Sequence, residues 1–230
     1  MADSEKIYAM DESRKRPWLR PFLKRRSFVI VANWVFQNTL VMATSERVFR
    51  FALEFACAVT IFVTVSSFVS NVENAVLSLF TAHTINWALN GNFWATQKFF
   101  GRKYSSAKMN QFLMKLRQRA RLSQDGVAAI AVFGSLSRGQ FSESSDLDVR
   151  MVRKSGIFSW VKANLFALQL RLIASVRTLP LDLLVLDNIN QIYEHISSNE
   201  SPVVIYDPDN LLARPKVISA KKNLRQKYGI

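Results

Sequence analysis

The chain has one cysteine, Cys57, which excludes an internal disulfide and fits a reducing compartment. The N-terminus lacks the short apolar core and cleavage site of a signal peptide and carries acidic residues instead. No internal repeat is present. Negative charge is scarce: 31 Lys and Arg face 17 Asp and Glu, for a formal net charge of +14 and a pI near 10.3. Such an excess calls for an anionic partner, whether nucleic acid, nucleotide or anionic lipid. Charge of either sign is scarcest in the middle. Residues 27–100 carry 3 basic and 3 acidic side chains, against 8 and 4 in residues 1–26 and 20 and 10 in residues 101–230. A length of 230 residues leaves room for one or two domains.

Residues 1–26 read as a basic cytoplasmic tail, with Arg14-Lys15-Arg16 and Lys24-Arg25-Arg26 around Trp18 and Phe22, either solvated or lying against lipid headgroups. In residues 27–46, Phe28, Val31, Ala32, Val35, Phe36, Leu40 and Ala43 share one helical face, away from Asn33, Gln37, Asn38 and Thr44. That predicts an amphipathic helix in the membrane interface, with a third span as the competing reading. Glu46, Arg50 and Glu54 then read as a charge ladder up to the membrane surface. Phe55–Val72 has no charge, and Asn74–Gln97 has His83 as its one titratable group. Each is long enough for a hydrocarbon core of about 30 Å. A transmembrane hairpin over about residues 52–97 is expected, turning at Asn71-Val72-Glu73-Asn74, with Trp87, Phe93 and Trp94 near one interface. Arg47 and Arg50 before it, and Lys98, Arg102 and Lys103 after it, place both ends in the cytoplasm. Two polar stripes cross the spans: Thr60, Thr64, Ser67 and Asn71 in the first, His83, Asn86 and Asn90 in the second. They serve as glue between helices or copies, or His83, Asn86 and Asn90, with Gly91 and Asn92, line a membrane site for a lipid-linked acceptor.

From Ser105 the pattern changes. Ser105–Gln124 predicts a helix with Met109, Phe112, Leu113, Leu116 and Ala120 on one face. Val127–Phe133 and Val149–Val152 predict strands. Gly156–Thr178 predicts a second long helix, with Phe158, Val161, Leu165, Leu168 and Leu172 at helical spacing. Leu181–Leu186, Asn188–Ile196 and Pro202–Tyr206 add a strand, a short helix and a fourth strand. The expected fold class is α+β: a small mixed sheet over residues 101–208, preceded by a helical membrane region over 27–100 and followed by a basic tail over 209–230.

Between the first two strands lies Gly134-Ser135, and the second strand opens with Asp146-Leu147-Asp148. Strand side chains alternate, so Asp146 and Asp148 point to the same face. Two carboxylates that close raise each other's pKa unless a cation sits between them. Oxygen ligands of this kind suit Mg²⁺. The Gly-Ser turn can present backbone N–H groups to a phosphate. A phosphate cradle beside metal carboxylates equips a chain for phosphoryl or nucleotidyl transfer.

Gly134-Ser135, a short polar segment, Asp146-x-Asp148, and a further carboxylate in the apolar run around Asp182 resemble the DNA polymerase beta-like nucleotidyltransferase superfamily in its minimal form. The resemblance covers roughly Ser105 to Asp207 and leaves the first hundred residues outside. It implies that Asp146 and Asp148 bind two Mg²⁺ ions, for which Mn²⁺ can substitute, and that Asp182 holds the ion that activates an acceptor hydroxyl. It implies that Gly134 and Ser135 bind a terminal phosphate of a nucleoside triphosphate such as ATP. Arg138 is the side chain best suited to clamp phosphate. Asp187, of opposite strand parity, is the alternative third carboxylate. Arg150 and Arg153 face either phosphate or solvent, with solvent the expected role; His195 is expected in a structural role, and Trp160 and Phe166 in the core rather than as base-stacking platforms. The long C-terminal helical region of larger members has no counterpart, so templated nucleic acid is not an expected partner. The minimal soluble relatives often act as antitoxins and lack a membrane hairpin. The expectation is therefore a multi-pass protein of the cytoplasmic (inner) membrane, its catalytic domain facing the cytoplasm, with homo-oligomers forming through the hairpin. It would move a nucleoside monophosphate to a hydroxyl of a lipid-linked sugar, lipid headgroup or protein. The alternative is a non-catalytic nucleotide-binding membrane module or antitoxin-like regulator of a partner.

Overall fold

The computed structural model describes residues 26–37, 39–66, 70–92, 105–123, 125–140, 142, 145–194 and 202–212. Residues 1–25 and 213–230 of the basic tails, and Ser67, Phe93, Trp94, Lys98, Arg102, Lys103 and His195, lie outside the described residues. Three helices come first: α1 (Arg26–Phe36), α2 (Thr44–Val65) and α3 (Asn71–Leu89). Then follow α4 (Ser106–Leu122), β1 (Val127–Phe133), β2 (Leu147–Arg153), α5 (Ile157–Val176), β3 (Leu181–Leu186), α6 (Asn190–Glu194) and β4 (Val203–Tyr206). This is the expected α+β order of elements.

The four strands form one mixed sheet in the order β3-β2-β1-β4. β1 is antiparallel to β2 and β4, and β2 is parallel to β3. β1 and β2 are buried along nearly their whole length because both sheet faces are covered. On one face Ile130, Val132, Leu147, Val149, Met151, Leu183 and Val185 pack against α4 and α5. α4 contributes Met109, Phe112, Leu116 and Ala120, the predicted stripe, with Leu113 half-buried. Each large side chain fully buried there stabilises by about 1.5–3 kcal/mol. On the other face Ala129, Ala131, Phe133, Leu184 and Leu186 meet Met42 and Ile192.

α5 corrects the predicted face. Ala163, Phe166, Ala167, Leu170 and Ala174 face the sheet, while Phe158, Leu165 and Leu172 point outward at 82%, 51% and 38% exposure. Three alanines let the helix approach the strands closely, and an all-round apolar helix leaves the larger stripe unused.

α2 and α3 pack side by side as a hairpin, but its chemistry is inverted relative to a water-soluble helix pair. The buried residues of α3 are Asn74, Ser78, Ala82 and Asn86, a polar and small-residue seam. Phe51, Phe55, Val59 and Val63 of α2 and Val72, Val76, Leu79 and Phe80 of α3 face outward. Small and polar residues inside with apolar residues outside is the pattern of helices packed in lipid. α1 repeats it: Val31, Val35 and Phe36 are exposed, whereas Asn33 accepts a hydrogen bond from Trp87 and Gln37 bonds to the His83 carbonyl. The apolar face of α1 is thus turned away from the protein. By length and composition alone, α2 and α5 are the described helices able to cross a membrane. α5's most apolar stretch is 39% buried, in the α/β core, against 11% for α2.

The charge ladder is replaced by a buried knot. Glu46 and Arg50 are both buried and pair with each other, and Glu46 also binds Arg171 of α5. Glu54 lies apart from them and binds His83 and Asn86. The first turns of α2 are therefore part of the sheet domain rather than a stalk leading away from it.

Candidate active site

β2 and β3 run parallel and in register, so Asp148 and Asp182 are direct partners on adjacent strands. Even-numbered residues of both strands share a face, which is the face opposite α4 and α5. Asp148 is also the register partner of Phe133, the last residue of β1. The chain then turns at Gly134 with φ +71°, and a Cβ at that position would collide with the Asp148 carboxylate. Glycine is required here for both its backbone angle and its missing side chain. Within the turn, the Ser137 hydroxyl donates to the Gly134 carbonyl at 2.9 Å and the Gln140 N–H to the Ser135 carbonyl at 2.9 Å. Ser135 Oγ is buried and has no hydrogen-bond partner among the described residues. Asp146 lies just before β2, close enough for its charge to act on Asp148, and Arg138 stands exposed on the turn.

Burial pushes the Asp148 carboxyl up to about 6, and the carboxylates of Asp182 and Asp146 push it the same way while Arg150 opposes them. Arg150 is not in solvent. It is buried, its Nη2 lies 3.3 Å from Asp182 Oδ2 and 4.0 Å from Asp148 Oδ1, and its Nη1 donates to the Val149 and Asp182 carbonyls. Its partner across the strands is Ala131, whose small side chain leaves room for the guanidinium. Arg153 is also paired, through Nε to Asp187 Oδ1 at 2.7 Å. Asp187 sits at the far end of β3, where it accepts from the Ser45 N–H. Burial raises its pKa, but the hydrogen bonds from Ser45 and Arg153 outweigh that and hold it below its ordinary value. Asp187 is thus engaged elsewhere, and Asp182 is the carboxylate that the strand register brings to Asp148.

The donor set suits a hard divalent ion: oxygen ligands, a buried carboxyl with a raised pKa, and, one residue past Gly134, the buried Ser135 hydroxyl without a partner among the described residues. In the present arrangement Arg150 lies where a cation is needed, and among the described residues no three His, Cys, Asp or Glu side chains are grouped to hold a metal.

The model of the nucleotidyltransferase domain family matches residues 113–207. No curated protein and no solved structure matches the chain. The matched segment begins within α4 and ends just past β4, so it holds the whole sheet, Gly134, Ser135 and all three aspartates. It supports the nucleotidyltransferase superfamily for this part of the chain, and with it a general nucleotidyl transfer function on a nucleotide substrate. α1, α2 and α3 lie outside the match.

His83 and Asn86 come together on the seam between the first three helices, and Asn90, at the end of α3, is linked through Arg171 to the Leu183 carbonyl of β3. His83 Nδ1 lies 2.8 Å from Glu54 Oε1, and its Nε2 lies 2.9 Å from the Trp34 carbonyl. Asn86 donates to Glu54 Oε2 at 2.8 Å and to Gln37 Oε1 at 3.2 Å, and Asn90 donates to Asn86. Gly91 and Asn92 are buried at the end of this seam. Thr60 and Thr64 instead back-bond to the carbonyls of Ala56 and Thr60 on their own exposed side of α2. Sequence reasoning left Arg150 between phosphate and solvent, and it missed Arg171. Arg150 shares strand parity with Asp148, and Arg171 falls on the alanine-rich face of α5; both signals were present.

Proposed function

We propose that this protein is a membrane-anchored, metal-dependent nucleotidyltransferase that moves a nucleoside monophosphate from a nucleoside triphosphate to a hydroxyl acceptor at the membrane. The observation that carries the reading is the in-register pair Asp148 and Asp182 with the Gly134-Ser135 turn directly above it. Asp146, Asp148 and Asp182 would hold Mg²⁺, which supplies Lewis-acid stabilisation of phosphate charge and lowers the pKa of an acceptor hydroxyl. Ser135 offers its N–H and buried hydroxyl to a phosphate oxygen, and Arg138 offers a guanidinium from the exposed turn. Asp182 would receive the acceptor's proton.

Membrane anchoring is supported by the inverted hairpin, whose exposed surface is apolar and whose seam is polar. The net charge of +14 favours an anionic cytoplasmic leaflet, with the catalytic domain on that side where nucleoside triphosphate is found. A lipid-linked sugar, lipid headgroup or protein side chain would then reach the site by diffusion in the bilayer plane. His83, Asn86 and Asn90 have hydrogen-bond partners on α1, α2 and α5, which favours a role in assembling these helices over acceptor binding.

A second reading, a nucleotide-binding module that controls a partner without turnover, is favoured by one observation: a guanidinium occupies the cation position between the aspartates. Incubating membranes that contain the protein with each α-phosphate-labelled nucleoside triphosphate separates the two. Label should appear in a membrane product with wild-type protein and not with Asp148→Asn. Nucleotide binding without any labelled product would support the module.

A further inference from the structure

Arg150 is a cation built into the carboxylate site by the sheet itself. It belongs to β2, two residues after Asp148 and on the same face, and it faces Ala131 on one side. Its Nη2 reaches Asp182 Oδ2 at 3.3 Å and stands 4.0 Å from Asp148 Oδ1, while Nη1 is held by the carbonyls of Val149 and Asp182. The side chain is 11% exposed, and those of Asp148 and Asp182 are each 10% exposed, so the three charges interact with little screening by water. A guanidinium fixed by two carbonyls cannot leave its place at no cost, because a buried donor without an acceptor loses its hydrogen-bond energy outright. A divalent ion bound to the same carboxylates would sit within a few ångströms of this positive charge and be repelled by it.

We propose that Arg150 acts as an internal counter-ion that competes with divalent metal for the Asp148–Asp182 pair. It keeps the two carboxylates ordered when no metal is bound, and it sets the metal affinity of the site low. This rests on the reading of the aspartates as metal ligands. Arg150 is a positioning residue in this scheme: it acts on the metal through the carboxylates and touches neither substrate nor acceptor.

The test is Mn²⁺ binding to the full chain in detergent, followed by electron paramagnetic resonance, with no nucleotide present. Arg150→Met and Arg150→Gln, which remove the charge, should bind Mn²⁺ at least tenfold more tightly than wild type. Arg150→Lys, which keeps the charge, should stay within about threefold of wild type. Gln retains a donor for the Asp182 carbonyl, so it serves if the Met variant does not fold. Neutral variants that bind Mn²⁺ no more tightly than wild type would overturn the proposal. A further variant tells that failure from failure of the underlying site: adding Asp148→Asn to Arg150→Gln should abolish the tightened binding. Tight binding that persists in the double variant would place the metal elsewhere and overturn the site assignment together with the proposal.

Discussion

Glu46, in the first turn of α2, accepts a 2.6 Å hydrogen bond from the backbone N–H of Val185 on β3. Val185 lies on the edge strand of the sheet, so a carboxylate from the N-terminal helices takes the place of a neighbouring strand. The other Glu46 oxygen pairs with Arg50 and with Arg171, and Arg171 bonds in turn to the Leu183 carbonyl at 2.7 Å and to Asn90 at 3.2 Å. One buried knot thus joins α2, the end of α3, α5 and the strand that carries Asp182.

Removing one member of that knot should be far worse than removing two. Glu46→Leu leaves Arg50 and Arg171 buried without their carboxylate, and a broken buried pair costs about 3–5 kcal/mol. Glu46→Leu with Arg171→Leu should recover much of that loss. Thermal unfolding of the single and double variants in detergent checks this through a double-mutant cycle. Additive losses would mean that the two residues are independent.

Asp148 makes the metal-free protein less stable at neutral pH. Burial raises its carboxyl from the ordinary 3.8 of the unfolded chain to about 6 in the folded state. Between those values the native state holds the extra proton, so the contribution is most favourable below about pH 4 and is lost as pH rises through 6, by about 3 kcal/mol. Asp148→Asn should therefore be more stable than wild type at pH 8 without metal, and the advantage should vanish near pH 4. Denaturation curves across this range measure it, and a constant difference between the two proteins would contradict it.

Gly134→Ala should damage the site without unfolding the sheet. A left-handed φ for alanine costs about 1 kcal/mol, and the added Cβ must displace the Asp148 carboxylate. The expected result is near-wild-type folding with transfer reduced at least about a hundredfold, read from turnover per folded molecule. Wild-type turnover would show that the close contact is not needed.

The hairpin's outer face should decide membrane attachment. Phe55 and Val63 are 71% and 64% exposed on α2. Phe55→Lys with Val63→Lys should lower recovery with anionic vesicles in flotation by at least about tenfold, since a lysine in the hydrocarbon costs about 2.5–3.5 kcal/mol. Unchanged flotation would remove α2 from the membrane.

The sheet domain was legible in the sequence because its signals are local. Val127–Phe133 and Leu181–Leu186 are apolar runs of strand length, Gly134-Ser135 punctuates them, and the α4 stripe at Met109, Phe112, Leu116 and Ala120 has a single inward face. α5 misled because it is apolar all round, and periodicity cannot choose between two apolar faces; the alanines chose. Glu46 and Arg50 misled for a different reason. Their spacing fits a solvated ladder, and what buries them is Arg171, a contact 125 residues away that no local pattern encodes. Arg150 was left between phosphate and solvent because a charge on a strand next to carboxylates fits either, and what encloses it, Ala131 across the strands and the Asp182 carboxylate, is a matter of strand register.

The central claim is that Asp148 and Asp182 form one catalytic pair, and the third carboxylate decides it most directly. Transfer of label from an α-phosphate-labelled nucleoside triphosphate with Mg²⁺ should be compared in wild type, Asp182→Asn and Asp187→Asn. Asp182→Asn should lose at least about a thousandfold in turnover, equivalent to about 4 kcal/mol of transition-state stabilisation. Asp187→Asn, which loses the Arg153 ion pair at the far end of β3, should retain turnover within about threefold per folded molecule. Undiminished turnover in Asp182→Asn would contradict the account.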